Sequence, residues 1–252
     1  MTNKLKYFIG NWKMFGTFSD FKIIKHINQY SQKSQKIFKN RKIILCVPST
    51  LIYYFNKKLK SKFIALGAQN CHSQTEGPFT GSVSSSMLKN AGAKYIILGH
   101  SENRYEGETN KLIKEKIILS HKHKLNIIYC IGETLLEKKS GKTLSILKSQ
   151  IQILFDKNVS IDKIIIAYEP VWSIGTNKIP KTVELKNIIK SIKNYCRKNL
   201  KIKKLPKILY GGSVNSKNIS LFSVIPDIDG FLIGGASQSS KKFIDIVKNY
   251  YK

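Results

Sequence analysis

Residues 164–176 read Ile164-Ile165-Ile166-Ala167-Tyr168-Glu169-Pro170-Val171-Trp172-Ser173-Ile174-Gly175-Thr176. Lys163 to Ala167 is short, rich in isoleucine and almost uninterrupted, the pattern of a parallel strand covered on both faces. Glu169 follows at its C-terminal end, where α/β folds carry their chemistry. Pro170 ends the strand, Trp172 offers a large apolar anchor, and Gly175 permits a sharp bend or close approach to a ligand. A carboxylate beside a mobile apolar cover is suited to a base that works out of water.

Comparable apolar runs recur at intervals of about thirty residues on either side. They are Leu5 to Gly10, Ile43 to Val47, Phe63 to Ala68, Tyr95 to Gly99, Asn126 to Ile131, Lys207 to Tyr210 and Gly230 to Ile233. With Lys163 to Ala167 they make eight. Helix-like stretches lie between them, among them Ser19 to Phe38, Asn110 to His123, Thr143 to Phe155, Val183 to Asn199 and Ser239 to Tyr250. Val183, Leu185, Ile188, Ile189, Ile192 and Tyr195 fall roughly on one helical face. Alternating strands and helices imply right-handed βαβ units and a parallel sheet. Eight units in 252 residues favour an α/β protein that is a closed (β/α)8 barrel over an open sheet. No linker or compositional break divides the chain, so a single domain over residues 1–252 is expected.

The composition supports a full core: 42% of residues are hydrophobic and 23% charged. No stretch reaches the ~20 apolar residues of a membrane span, and the apolar Tyr7-Phe8-Ile9 is too short for a signal peptide. Cys46, Cys71, Cys130 and Cys196 lie far apart, without metal or redox spacing, and read as buried reduced thiols of a cytoplasmic protein. The charge is unusual: 44 lysines and arginines against 15 acids, a formal +29. The lysines spread over nearly every polar segment, which reads as solvated helix faces rather than a nucleic-acid site. An anionic substrate would still be drawn in, less so at high salt.

Other strand ends are chemically loaded. The first gives Gly10-Asn11-Trp12-Lys13 and the fourth Gly99-His100-Ser101-Glu102. The last two give Tyr210-Gly211-Gly212-Ser213-Val214 and Ile233-Gly234-Gly235-Ala236-Ser237. In a barrel these ends open on one face. Paired glycines expose backbone N–H groups that can cradle a phosphate, and Ser213 offers a hydroxyl donor. His100 at a helix start disfavours its charged form, so a neutral ring can donate to a carbonyl. Lys13 stands out by its place just past the first strand, with Glu102 available to balance it or to cap a helix. The long connection Gln69 to Ser82, with Gly77-Pro78-Phe79-Thr80-Gly81, reads as a partner contact in which Phe79 needs burial.

These segments together resemble the triosephosphate isomerase family from end to end. The matching signatures are Asn11-Trp12-Lys13, Gly67-Ala68-Gln69-Asn70, Phe79-Thr80-Gly81, Gly99-His100-Ser101-Glu102, Ala167 to Thr176, Tyr210 to Val214 and Gly230 to Ser237. The resemblance implies a TIM barrel that interconverts dihydroxyacetone phosphate and glyceraldehyde 3-phosphate without a metal or cofactor. It implies Glu169 as the base, neutral His100 as the proton shuttle, and Lys13 as the balancing cation. Asn11 and Glu102 would fix the surroundings of Lys13, and Gly175, Ser213, Gly234 and Gly235 would grip the phosphate. It also implies a homodimer made through the loop Gln69–Ser82.

The chain departs from the family pattern in places. Ser82 and Asn103 stand where a glutamate and an arginine usually pair across the dimer, and the stretch Arg104 to Glu108 is one residue short. In the cover segment, Ser173 and Asn177 replace the usual alanine and glycine. Two other readings stay open at this stage: another phosphate-sugar enzyme on the same scaffold, or a nucleic-acid-binding protein that uses the positive charge.

Overall fold

A computed structural model describes residues 5–34, 40–200 and 205–251. Eight parallel strands close on themselves in chain order: β1 (Lys6–Asn11), β2 (Arg41–Cys46), β3 (Ile64–Ala68), β4 (Tyr95–Leu98), β5 (Asn126–Ile131), β6 (Ile164–Tyr168), β7 (Lys207–Tyr210) and β8 (Gly230–Ile233). Closure is made by β1 against β8, with Tyr7 opposite Gly230 and Gly10 opposite Ile233. The expected closed (β/α)8 barrel is thus present, with strand boundaries within one or two residues of those read from the sequence.

The strands read as continuous apolar runs because both of their faces are covered. Inward-facing Ile9, Ile44, Cys46, Ile97, Ile128, Cys130, Ile165, Ala167, Leu209 and Leu232 fill the barrel. Their immediate neighbours, such as Phe8, Leu45, Ile127, Ile166 and Phe231, point outward into a second core beneath the helices. The pleat therefore sorts each strand into two sets by alternation. Continued past the strand ends, the inward phase of β6 reaches Glu169, that of β1 reaches Asn11 and Lys13, and that of β3 reaches Gln69.

The helices Asn110–Lys122, Thr143–Gln152, Thr182–Asn199 and Ser240–Asn249 match their predicted positions closely. In Thr182–Asn199, Leu185, Ile188, Ile189, Ile192 and Cys196 are buried, as the 3.6-residue period requires. The first predicted helix is a 3₁₀ turn, Phe18–Asp20, running into Phe21–Lys33; residues 35–38 of that expectation lie outside the described residues. Among the described residues there are further α-helices at Ser49–Lys58, Ser85–Ala91, Ser101–Tyr105 and Leu135–Lys139.

At the N-terminal end of the strands, buried Asp229 accepts the Ile208 N–H at 3.0 Å and lies 3.3 Å from Lys207 Nζ and 3.8 Å from Lys193 Nζ. Its backbone carbonyl accepts the Tyr7 N–H at 2.9 Å, which ties β8 to both neighbouring strands. All four cysteines are buried and unbridged. No helix among the described residues is long and apolar enough to cross a membrane.

The loop Gln69–Ser82 is internally ordered. His72 N–H donates to Val83 O at 2.8 Å, Ser82 N–H to Phe79 O at 2.9 Å, and the Phe79 ring lies 4.2 Å from the His72 ring. Phe79 is nevertheless 39% exposed, so the burial expected for it is not supplied within one chain.

Candidate active site

A cavity of about 590 Å³ opens at the C-terminal ends of the strands. Its walls include Asn11, Lys13, His100, Glu169, Gly175, Ser213, Gly234 and Gly235. Of the residues singled out from the sequence, Glu102 alone does not line it.

Glu169 is held from both sides. Its N–H donates to Ile131 O at 2.7 Å, which fixes its backbone against β5. Its side chain is buried, with Oε1 3.5 Å from His100 Nε2. The other oxygen, Oε2, is buried without a hydrogen-bond partner. Gly211 makes room for this acid: a Cβ there would lie 2.6 Å from Glu169 Cγ. Beneath it, Cys130 has its thiol pushed well up, first by burial and then by the charge of Glu169.

His100 caps the short helix Ser101–Tyr105. The Glu102 N–H donates to its Nδ1 at 3.3 Å. A ring nitrogen that accepts an N–H carries no proton, so this bond assigns the proton to Nε2. That N–H faces Glu169 and the cavity, where it can donate to a substrate oxygen.

Lys13 adopts a left-handed backbone, φ 56°. A lysine resists that conformation unless its surroundings impose it. Asn11 Oδ1 accepts the Lys13 N–H at 3.0 Å. Gln69 Nε2 donates to Asn11 Oδ1 at 3.2 Å, to Lys13 O at 3.0 Å and to Cys46 O at 3.2 Å. Gln238 Nε2 donates to Trp12 O at 3.0 Å. These two amides hold the turn that aims the ammonium into the cavity. Glu102 Oε1 accepts from Lys13 Nζ at 2.5 Å, so Glu102 stands behind the cation and positions it.

The cover segment is a 3₁₀ turn, Val171–Ser173, followed by Ile174 to Pro180, with positive φ at Gly175 and Asn177. Asparagine tolerates that conformation better than most residues, so the replacement of the usual glycine is accommodated. Trp172 is anchored by a hydrogen bond and a cation–π contact. Its Nε1 donates to buried Glu133 Oε1 at 2.9 Å, and Lys138 Nζ lies 3.8 Å over its ring. Tyr168 O–H donates to the same carboxylate oxygen at 3.2 Å, and burial raises the Glu133 pKa above its ordinary value. Sequence reasoning missed Glu133 and Gln238, and it quoted Gln69 without giving it a role in the site. Glu133 had a visible signal, an acid two residues past a strand end in Cys130-Ile131-Gly132-Glu133.

Ser213 lines the cavity, but its hydroxyl donates to Ser173 O at 2.8 Å and accepts the Asn177 N–H at 3.1 Å. The hydroxyl proton expected for an anion is thus committed to the cover. Across from it, Gly234 and Gly235 begin a 3₁₀ turn, Gly235–Gln238, with open space at Gly235. The shortened stretch Arg104 to Glu108 is closed by Arg104, which donates to Gly99 O and to Asn110 Oδ1, each at 2.8 Å, and by Glu108, paired with Lys116. Among the described residues no three His, Cys, Asp or Glu side chains group as metal ligands do.

A family model described as triosephosphate isomerase matches residues 6–250. The triosephosphate isomerase of Zygosaccharomyces bailii is 39% identical over 244 residues, covering 95% of this chain and 96% of that protein. That of Taenia solium is 41% identical over 246 residues, covering 94% and 95%. The crystal structure of triosephosphate isomerase from Bartonella henselae superposes with a TM-score of 0.87 at 33% identity, covering 98% of this chain and 99% of that one.

Proposed function

The chain belongs to the triosephosphate isomerase family, and from that premise we propose how its cavity residues carry the reaction. The enzyme interconverts dihydroxyacetone phosphate and glyceraldehyde 3-phosphate. Glu169 removes a proton from the carbon bearing the hydroxyl, next to the carbonyl. The electron pair of that C–H bond becomes the C=C bond of an enediolate, and the carbonyl oxygen takes the charge. His100 Nε2–H donates to that oxygen and carries a proton between the two oxygens. Glu169 then returns its proton to the neighbouring carbon. The Lys13 ammonium offsets the charge that develops, and Asn11 holds the Lys13 backbone where that is effective. Glu102 acts through Lys13 and not on substrate.

The backbone N–H groups at Gly234 and Gly235, with Gly175, grip the phosphate, while the Ser213 N–H meets Ser173 Oγ at 3.3 Å. That grip is remote from the reacting carbons, so its binding energy is available to hold the cover closed and exclude water. The observation that carries this reading is the buried Glu169 carboxylate on the cavity wall, with Oε1 beside His100 and Oε2 buried without a hydrogen-bond partner. Such a group is poised to take a proton from carbon.

The working protein, on this reading, is one barrel domain spanning residues 1–252, cytoplasmic, and paired as a homodimer through Gln69–Ser82. Phe79, Met14 and Phe15 are exposed apolar side chains in the loops that follow β3 and β1, and Tyr105 is one at the end of the short helix after β4. Those segments are tied together by Gln69 to Lys13 and by Asn70 to Glu108, which supports a shared apolar contact surface. Ser82 and Asn103 leave no unpaired charge in that interface.

A coupled assay on glyceraldehyde 3-phosphate, with Glu169→Asp and Lys13→Ala beside wild type, tests the roles. Both substitutions should lower kcat/KM by on the order of 10²-fold or more. Wild-type rates in both variants would overturn the assignment.

A further inference from the structure

The cavity does not end at the glycines that grip the phosphate. Its wall continues past Gly234 and Gly235 to Ser216, Lys217, Lys242 and Ile246. Two elements enclose this extension. One is the turn after β7, where Asn215 Oδ1 accepts the Lys217 N–H at 2.9 Å and the Asn218 N–H at 3.0 Å. The other is the helix Ser240–Asn249, on which Lys242 and Ile246 stand four residues apart and so share a face. Asn249 Nδ2 donates to Ser216 O at 2.9 Å and fastens the helix to the turn. Ile246 is buried and contributes an apolar wall, while Lys217 and Lys242 are exposed at the rim.

Lys13, Lys138 and Lys193 each pair with a carboxylate. Among the described residues the ammoniums of Lys217 and Lys242 pair with none, and no ion pair joins Lys242 to Asp245 one turn on. A triose phosphate brings a single dianionic group, and the N–H groups at Gly234 and Gly235 take it. Cavities of about 300–1,000 Å³ suit ligands of drug size. This one, at about 590 Å³, leaves room beside so small a substrate. Two uncompensated cations on one concave wall attract a further anion more strongly than a lone surface lysine does.

We propose that Lys217 and Lys242 form a second anion subsite, and that the cavity takes small organic bisphosphates, with one phosphate on the Gly234 and Gly235 N–H groups and the other between the two ammoniums. This rests on the phosphate grip of the isomerase reading and goes beyond it. An ammonium is a compact charge with three rotatable donors, so two of them can close on a phosphate from a flexible rim. A ligand that spans both subsites lies across the mouth and shuts out triose phosphate. It is a competitive inhibitor and not a substrate.

The test uses two matched probes: propyl phosphate, and the same carbon chain with a phosphate at each end. Affinity is read by competition in the coupled assay and by calorimetric titration. At low ionic strength the wild type should hold the bisphosphate about tenfold more tightly than propyl phosphate. In Lys217→Gln/Lys242→Gln that preference should fall about tenfold, to near parity. Both side chains are exposed and unpaired, so this variant should melt as the wild type does. Lys25→Gln/Lys157→Gln neutralises two exposed lysines elsewhere and separates a built subsite from the general field of a protein of formal charge +29. It should leave the preference unchanged. Equal wild-type affinity for the two probes would overturn the subsite, as would an equal loss of preference in both variants. Propyl phosphate that fails to compete with triose phosphate would instead sink the phosphate grip, and with it the isomerase reading of the cavity.

Discussion

Replacing Gly211 with alanine displaces the proposed base without altering any ionisable group. A Cβ at this position lies 2.6 Å from Glu169 Cγ and 3.1 Å from Glu169 Oε1, against an ordinary contact of 3.4 Å or more. Relief therefore needs a shift of roughly 0.8 Å in a close-packed site. Gly211 is not among the glycines of positive φ, so the obstruction is Glu169 and not the residue's own backbone. Nor is position 211 free to retreat, because its N–H donates to Tyr168 O at 2.8 Å and holds it against β6. The carboxylate has to give way. Misplacing a reacting group by about 1 Å costs on the order of 10²-fold, so kcat should fall about 30- to 100-fold, or about 2.0–2.7 kcal/mol of barrier. KM should stay within about threefold, because the phosphate is held at the β8 end, away from the clash. The assay is steady-state turnover in the coupled system, normalised to folded protein by circular dichroism. A Gly211→Ala enzyme that folds normally and turns over within about twofold of wild type would refute the placement of the base.

Glu133→Gln bears on stability against pH. Burial raises this carboxyl above its unfolded value of 4.5, so it favours the folded state below that value, and this contribution is lost as pH rises through the folded value. The urea midpoint at pH 4 minus that at pH 7 should therefore be less positive, or more negative, in Glu133→Gln than in wild type; an identical signed difference would contradict the assignment. Asp229→Asn removes the carboxylate beside Lys207 and the longer of two contacts to Lys193, which keeps Asp227 at 2.9 Å, at the far end of the barrel. It should cost about 1–3 kcal/mol, discounted because the lysines are partly solvated, with kcat unchanged; a fall in kcat without a fall in denaturation midpoint would count against the division of labour between the two ends. The proposed dimer joins two bodies of formal charge +29, so sedimentation should show tighter association as ionic strength rises. A fully active monomer at every salt concentration would remove the dimer from the reading.

The eight strands were legible because each is covered on both faces and so reads as an apolar run with no polar alternation to confuse it. The same lack of alternation blurs their ends, which is why β2 and β6 shift by one or two residues. Glu169, His100 and Lys13 were legible because each follows a strand end. Gln69 and Gln238 were not, because an uncharged amide announces nothing until its three acceptors or its single carbonyl are in place. Glu102 was visible, but only the geometry puts it behind Lys13 and off the cavity wall. The hydroxyl of Ser213 looked like a ligand donor until the neighbouring carbonyl of Ser173 claimed it. Short helices such as Ser49–Lys58 escaped because Ile52-Tyr53-Tyr54-Phe55 has weak helical preference, and burial of Leu51, Ile52 and Phe55 against the barrel forms the helix instead.

The inward phase shared by Ile165, Ala167 and Glu169 has a genetic consequence. Removing one codon inside β6 turns every later side chain of that strand to the opposite face, and the carboxylate leaves the mouth though no catalytic codon has changed. The turn that precedes β6, around Asp156 to Ser160, has no such parity to keep. Single-codon deletions should thus be silent in the turns and null in the strands, and natural length variation should collect at the end of the barrel where nothing is catalysed.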